Sequence, residues 1–153
     1  MASVGIWSGG QTLARALEAR LDRQFDFVLA DHPALLARRT LDLLVIAPDA
    51  VGLAGAGALR PRLALLPGDG VGLSGAVRAT EAVSYGLGRQ NTLTLSSMDG
   101  GSVSVCLQRE LLTISGRAVD RQEWVLPFDK EAHSAEEFLC QVGALLLLDV
   151  SLS

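Results

Sequence analysis

Short apolar runs alternate with helical patterns through the first third of the chain. Residues 4–7 form an apolar run that stops at a Ser-Gly-Gly sequence at 8–10. Leu13, Leu17 and Leu21 then recur every four residues, as on one face of a helix. This order predicts a strand, a tight turn and a helix.

The following segments repeat the alternation of strand and helix. A strand is predicted at 25–30, and a short helix at 33–39 that opens with a proline at its first position. Residues 41–47 form the most continuously apolar run in the first half of the chain, which is typical of a central strand covered on both faces of a parallel sheet. Further strands are predicted at 63–66 and 82–86, with about two helical turns at 75–81.

The hydrophobic period changes in the second half of the chain. Segments 92–96 and 102–108 alternate polar and apolar residues around an Asp-Gly-Gly turn, which predicts a β-hairpin. Segments 111–114 and 123–126 are expected to extend this hairpin into a meander. A last helix is predicted from Ser134 to about Asp149, because Ser134 and Glu137 have the spacing of a capping box.

Together these elements predict a single α/β domain over residues 1–153. The expected architecture is a Rossmann-like three-layer domain with a mostly parallel sheet. Its parts are a parallel segment at 1–88, a β-meander at 89–128 and a C-terminal helix at 133–150. Residues 145–148 are apolar around the whole helix, so this end should be buried under the sheet or against a second subunit.

Composition narrows the possible partners and the compartment. The chain of 153 residues has a net charge of −4, scattered basic residues and 5% aromatics, which argues against nucleic acid as a partner. We expect neither a membrane-spanning segment nor a secretory signal. Cys106 and Cys140 lie in apolar segments, so we expect free core thiols and a cytoplasmic protein.

The turn after the first strand is the best candidate for a ligand site. A P-loop has the pattern G-x-x-x-x-G-K-[ST], in which lysine contacts the β- and γ-phosphates. Here Gly5 and Gly10 match the two glycines and Thr12 the hydroxyl, but Gln11 replaces the lysine. The missing charge predicts weak ATP binding at most. A tight turn without a ligand is the default interpretation.

Two dinucleotide-binding patterns are weaker. In the first, Ser8, Gly10 and Leu13 would occupy the three glycine positions, with Asp31 as the acidic residue that ends the second strand. In the second, residues 70–75 match G-x-G-x-x-G, but we interpret them as a glycine-rich connection. The candidate ligand-binding residues are therefore Ser8, Gly9, Gly10, Gln11, Thr12 and Asp31.

No catalytic residue is assigned from the sequence. Neither cysteine lies in a context that lowers the pKa of a thiol, so pairing with His32 or His133 is not favoured. No element has the spacing for three metal ligands. Strand-end acids such as Asp49 could line a small polar cleft, or could simply cap turns.

The order of these signals resembles the central, ATP-binding domain of the Mur ligases and the folylpolyglutamate synthases. Residues 4–12 resemble that family's strand followed by the loop G-T-x-G-K-T. Residues 63–69 are placed like its strand ending in aspartates, and 82–88 are similar to the strand that enters its small antiparallel meander. Leu-Pro at 126–127 with His-Ser at 133–134 resembles a later step into a helix.

The departures from this family suggest a relative without activity. Gln11 replaces the lysine, and residues 31–62 offer no counterpart of the metal-binding glutamate and carbamylated lysine. The resemblance implies a degenerate, catalytically silent module without a cofactor. We expect it to act through a protein partner or through self-association by its C-terminal helix. The alternative is a nucleotide- or small-ligand-binding protein, such as a weak hydrolase, that uses the Gly9-Gly10 turn and binds ATP weakly.

Overall fold

Eight strands form one mixed sheet in a computed structural model of the chain, which describes residues 2–21, 25–37, 39–50, 59–68 and 77–152. The other regular elements of the described part are a separate pair of short strands, two α-helices and one 3-10 helix. The main-sheet strands are β1 (Ala2–Trp7), β2 (Phe25–Ala30), β3 (Leu43–Ile46), β4 (Leu63–Pro67), β5 (Glu81–Tyr85), β6 (Leu93–Asp99), β7 (Ser102–Leu107) and β10 (Gln122–Pro127). The short pair is β8 (Leu111–Leu112) with β9 (Ala118–Val119), and the helices are α1 (Thr12–Arg20) and α2 (Ala135–Leu147).

The sheet is mostly parallel, as predicted. Its strand order is β10-β7-β6-β5-β4-β3-β1-β2. Neighbouring strands from β2 to β6 run parallel, and β7 pairs antiparallel with both β6 and β10. The chain therefore passes from β1 to β2 on one side and then returns to place β3 on the other side of β1.

The central strands are buried on both faces. Leu43 and Val45 of β3 belong to one hydrophobic cluster, whereas Leu44 and Ile46 belong to a second cluster on the opposite face. Successive side chains of a strand point to opposite faces, so an uninterrupted apolar run is stable only where both faces are covered. The predicted central position of this segment is confirmed.

Helix α2 packs against α1 and against β3 to β6. Its residues from Val142 to Leu148 are all buried within this chain. The apolar end therefore lies under the protein's own sheet, which was one of the two expected arrangements. Self-association through this helix stays a prediction, but burial of its apolar side chains does not require it.

The meander is interrupted, in contrast to the prediction. Segment 111–114 leaves the main sheet, and Leu111 and Leu112 pair with Val119 and Ala118 in a separate ribbon. The turn of this ribbon is held by Thr113, whose backbone N–H donates to the Arg117 carbonyl and whose hydroxyl accepts from the Arg117 N–H. Strand β10 then returns to the main sheet beside β7.

Two predicted helices differ from the structure. The first shrinks to a 3-10 helix at Pro33–Leu35, where the His32 ring nitrogen Nδ1 accepts from the Ala34 N–H. The second, at 75–81, falls partly outside the described residues, and the glycine-rich motif at 70–75 lies wholly outside them. Residues 77–80 are not helical and Glu81 already belongs to β5. In the described part of the chain, no helix has the length and hydropathy needed to cross a membrane.

Candidate functional site

The turn between β1 and α1 is short. Strand β1 continues to Trp7 and α1 begins at Thr12, so only residues 8–11 connect them. Gly5, matched above to the first P-loop glycine, lies inside β1, where a Cβ atom would come within 2.8 Å of Leu41 Cδ1. Its missing side chain makes room for Leu41 in the core. A phosphate-wrapping loop requires that the matched residues all belong to the loop between the strand and the helix, and Gly5 does not.

A carboxylate of the chain itself lies against this turn. Ser8 is 4% exposed, and its hydroxyl donates to Asp49 Oδ1 at 3.0 Å and accepts from the Gly10 N–H at 3.3 Å. Asp49 is carried there by β3, because the Ala47 N–H donates to the Trp7 carbonyl just beyond the paired strands. Ser8 thus joins the ends of two neighbouring parallel strands.

Gly9 leaves the space that Asp49 occupies. A Cβ atom on Gly9 would lie 3.3 Å from Asp49 Oδ2 and 3.4 Å from the Asp49 carbonyl oxygen. The corresponding distance from Gly10 to Oδ2 is 3.8 Å, which is ordinary contact. Neither glycine has a positive φ. The close approach of Asp49 is therefore a sufficient reason for glycine at position 9, and no ligand is needed to explain it.

A cleft of about 130 Å³ opens beside this carboxylate. It lies at the carboxyl ends of β1 and β3, where the strand order reverses and where open α/β sheets bind their ligands. The amino-terminal ends of α1 and α2 both reach it, and their partial positive charge favours carboxylates there. Its polar lining comes from Ser8, Gly10, Thr12, Asp49, Ser134 and Glu137.

Ser134 and Glu137 join the site from the far end of the sequence. The Ser134 hydroxyl accepts from the Glu137 N–H at 3.1 Å, as predicted for the cap of α2. The reciprocal bond of the expected capping box is not formed. Instead Glu137 lines the cleft, and its Oε1 atom is buried without a hydrogen-bond partner in the described structure. A buried carboxylate oxygen of this kind is costly unless a donor reaches it.

A second hollow of about 270 Å³ lies on the other side of the same turn. Asp31 lines it together with Gly9 and Gln11. The Gln11 side-chain oxygen accepts from Arg15 Nη2 at 2.9 Å, one helical turn further on. The P-loop position without its lysine is therefore occupied by an amide that is hydrogen-bonded along α1.

The structure divides the six candidate residues between these two concavities. Ser8 and Gly10 line both of them, Thr12 lines the cleft, and Gly9, Gln11 and Asp31 line the hollow. Sequence reasoning did not include Ser134 and Glu137, because their only signal was that of a helix cap. Asp49 was noted as a strand-end acid, but its contact with the glycine turn depends on how β3 pairs with β1.

The electrostatic character of both concavities is acidic. Of the described residues that line them, none is lysine or arginine, whereas Asp31, Asp49 and Glu137 are carboxylates. A bound triphosphate would meet these negative charges without a neutralising side chain. The arrangement suits a ligand that donates hydrogen bonds better than one that brings negative charge.

A pair of protonated groups lies beneath the cleft. The hydroxyl of fully buried Tyr85 donates to the Ile46 carbonyl at 2.6 Å, and the Cys140 thiol lies 3.8 Å from the same oxygen. Burial raises the pKa of Cys140 to about 12, although the hydrogen bond with Tyr85 opposes the shift. Burial likewise raises the pKa of Tyr85. Both groups are neutral donors at the end of β3.

We expect Cys140 to make the fold sensitive to alkali. The unfolded chain releases this proton near the ordinary pKa of 9.0, whereas the folded chain keeps it to about pH 12. The contribution of this thiol to the free energy of unfolding is therefore fully present below pH 9. It is lost as the pH rises towards 12, by up to about 4 kcal/mol for this difference in pKa. Urea unfolding at several pH values should show this slope reduced in Cys140→Ala. Cys106 is half-buried in strand β7. An equal reduction of the pH slope in Cys106→Ala would contradict the assignment of the slope to Cys140.

The remaining candidate groups are placed apart. Burial and the neighbouring Glu123 carboxylate raise the pKa of the Cys106 thiol. The His32 ring caps the 3-10 helix beyond β2. Among the described residues, no group of three or more His, Cys, Asp or Glu side chains could hold a metal ion.

Comparison with known proteins adds no family. No protein-family model matches the sequence, and no curated protein sequence matches it significantly.

Proposed function

We propose that this protein is a catalytically silent, Rossmann-like module that binds no nucleoside triphosphate and acts in the cytoplasm through contact with another protein or a second copy. The proposal keeps the resemblance to the Mur-ligase central domain as an architectural relationship. The strand order β2-β1-β3-β4-β5 supports an open, doubly wound type of sheet, because it is one of the two common orders of such sheets; the dinucleotide-binding Rossmann order 3-2-1-4-5-6 is the other.

One observation is the main support for the proposal that this turn binds no nucleotide. The Asp49 carboxylate lies against Gly9 and is hydrogen-bonded to Ser8, where a phosphate would approach the turn. Two like charges repel by about 4 kcal/mol at 4 Å near a protein surface. Helix α1 has no side-chain cap at Gln11, but the carboxylate near its amino end already supplies the negative charge that this end favours.

The contact with a partner is supported by the edge of the sheet. Strand β2 pairs only with β1 in the described sheet, so its outer backbone groups face away from the sheet. Leu29, 39% exposed, and Leu35, 63% exposed, both line the hollow beside this edge. Two exposed leucines next to an unpaired strand edge favour contact with an apolar surface.

The proposal is tested by adding ATP and magnesium in increasing concentration and measuring the melting temperature of the protein. We expect no saturable stabilisation at millimolar ATP. Sedimentation velocity over a concentration series is run on the same sample, and a dimer that dissociates in Leu35→Glu would support self-association at this edge. Saturable stabilisation by ATP that is abolished by Thr12→Ala would refute the proposal. A strictly monomeric protein at high micromolar concentration would count against self-association.

A second candidate function is binding of a small uncharged or cationic ligand in the cleft. The buried, unpartnered Oε1 atom of Glu137 favours it, because a ligand hydroxyl or ammonium group could donate to that oxygen. Thermal-shift measurements with small amino alcohols test this candidate, and NAD and sugar nucleotides serve as negatively charged comparison ligands. Stabilisation by an amino alcohol that is lost in Glu137→Gln would support it.

A further inference from the structure

A separate cavity of about 420 Å³ lies away from the glycine turn. It is open to solvent on one side and is lined by the last turn of α1, one face of α2, the end of β10 and the C-terminal tail. Its volume is within the range of sites that hold small organic molecules. The lining is mainly apolar, from Leu126, Pro127, Phe138, Val142, Leu145 and Leu152.

An unsatisfied amide donor belongs to this cavity. Gln141 lines it from α2, and its Nε2 atom is buried with no hydrogen-bond partner in the described structure. Side-chain amides can donate two hydrogen bonds, and leaving a buried donor unpaired is costly. An acceptor brought by a ligand would remove this cost.

A guanidinium group lies at the rim of the same cavity. Arg20 lines it from the last turn of α1, and its Nη2 atom donates to the Ser151 carbonyl at 3.0 Å. This bond holds the side chain across the tail. The ion pairs of the described residues are Arg62 with Asp42 and Arg117 with Asp149, so the positive charge of Arg20 is not neutralised by a carboxylate there.

We propose that this cavity binds a small carboxylic acid with an apolar body. The carboxylate accepts hydrogen bonds from Arg20 at the rim and from the Gln141 amide. The hydrocarbon part lies between Phe138 and Leu145. This binding site is independent of the proposed function at the glycine turn.

The chemistry of the lining favours a carboxylate over other charged groups. One guanidinium matches a single carboxylate, with which it can form two parallel hydrogen bonds. None of the described residues that line the cavity is an aspartate or glutamate that could pair with an amine. A polyphosphate would need more positive charge than Arg20 supplies.

Octanoate is a suitable probe, with octanol as the uncharged ligand of the same chain length. Titration of the ¹⁵N-labelled protein is followed by NMR. We expect octanoate to shift the Gln141 side-chain amide resonances saturably, together with backbone signals of α2 and β10. Octanol should bind more weakly because it cannot pair with Arg20.

Two arginines of α1 provide a matched pair of variants. Arg20→Gln should raise the dissociation constant of octanoate by about ten- to a hundredfold, the effect of losing the charge-assisted hydrogen bonding to the carboxylate. Arg15→Gln changes the same charge on the same helix but does not line the cavity, so its affinity should equal that of the natural chain. Leu152→Trp, in the partly buried tail, should reduce the affinity by filling the cavity.

Three results would overturn the assignment. They are no saturable shift with octanoate, equal affinities for octanoate and octanol, and equal affinities in Arg20→Gln and Arg15→Gln. Shifts spread over the whole protein without saturation would count in the same way, because they indicate non-specific association.

Discussion

Replacing Gly143 by leucine should destabilise the protein by about 2–3 kcal/mol, since inserting a large side chain into a packed core has a cost of this order. A Cβ atom at Gly143 would lie 2.9 Å from Leu65 Cδ1 and 3.4 Å from Leu93 Cδ2. Leu65 is completely buried in β4 and cannot move into solvent. The gain in helix propensity of about 0.8 kcal/mol on replacing glycine is smaller than this cost.

Equilibrium unfolding in urea measures this effect. Gly101→Ala is the control, because Gly101 lies in the exposed turn between β6 and β7 and a Cβ atom added there would meet no atom within 4 Å. Combining Gly143→Leu with Leu65→Ala should recover part of the loss, which a double-mutant cycle would show as coupling. An unchanged midpoint in Gly143→Leu would mean that α2 does not pack this closely on β4.

Converting the turn to a phosphate site should need two changes together. Gln11→Lys supplies the missing cation, and Asp49→Asn removes the opposing carboxylate while keeping its shape. The double variant should bind magnesium-ATP about ten- to a hundredfold more tightly than the natural chain, since a charge-assisted hydrogen bond contributes about 1.5–3 kcal/mol. Gln11→Lys alone should gain less, because the new lysine can pair with Asp49.

Calorimetric titration with magnesium-ATP gives the affinities of four proteins, which are the natural chain, Gln11→Lys, the double variant and a control double variant. Gln122→Lys with Asp120→Asn is the matched control, because it makes the same change in net charge at the opposite edge of the sheet. Equal gains in the control pair would show a general charge effect. Tight binding by the natural chain would contradict the role assigned to Asp49.

Elements with a strong periodic pattern were predicted correctly from the sequence. The bounds of β2 agree with the prediction, and α2 begins directly after the expected cap at Ser134. The central position of β3 followed from an apolar run that needs two covered faces. These features depend on residues close together in the chain, so local sequence is sufficient to predict them.

Short segments with weak patterns were predicted less well. Segment 111–114 was expected to extend the meander of the main sheet, but this was wrong, because the two residues of β8 pair with β9 instead. The helix expected from Pro33 is reduced to one 3-10 turn. In such segments the local preference is small, and tertiary contacts determine the structure.

The sequence by itself determined the class of fold, the glycine turn after β1 and the absence of a lysine there. Only the tertiary structure decided that Asp49 lies against the turn, that Glu137 reaches the cleft and that Gln141 and Arg20 line the same separate cavity. The reason is physical. Hydrophobic periodicity depends on neighbouring residues, whereas Ser8 and Asp49 are 41 positions apart and Arg20 reaches the Ser151 carbonyl 131 positions further along the chain. Only strand pairing and helix packing bring such residues together.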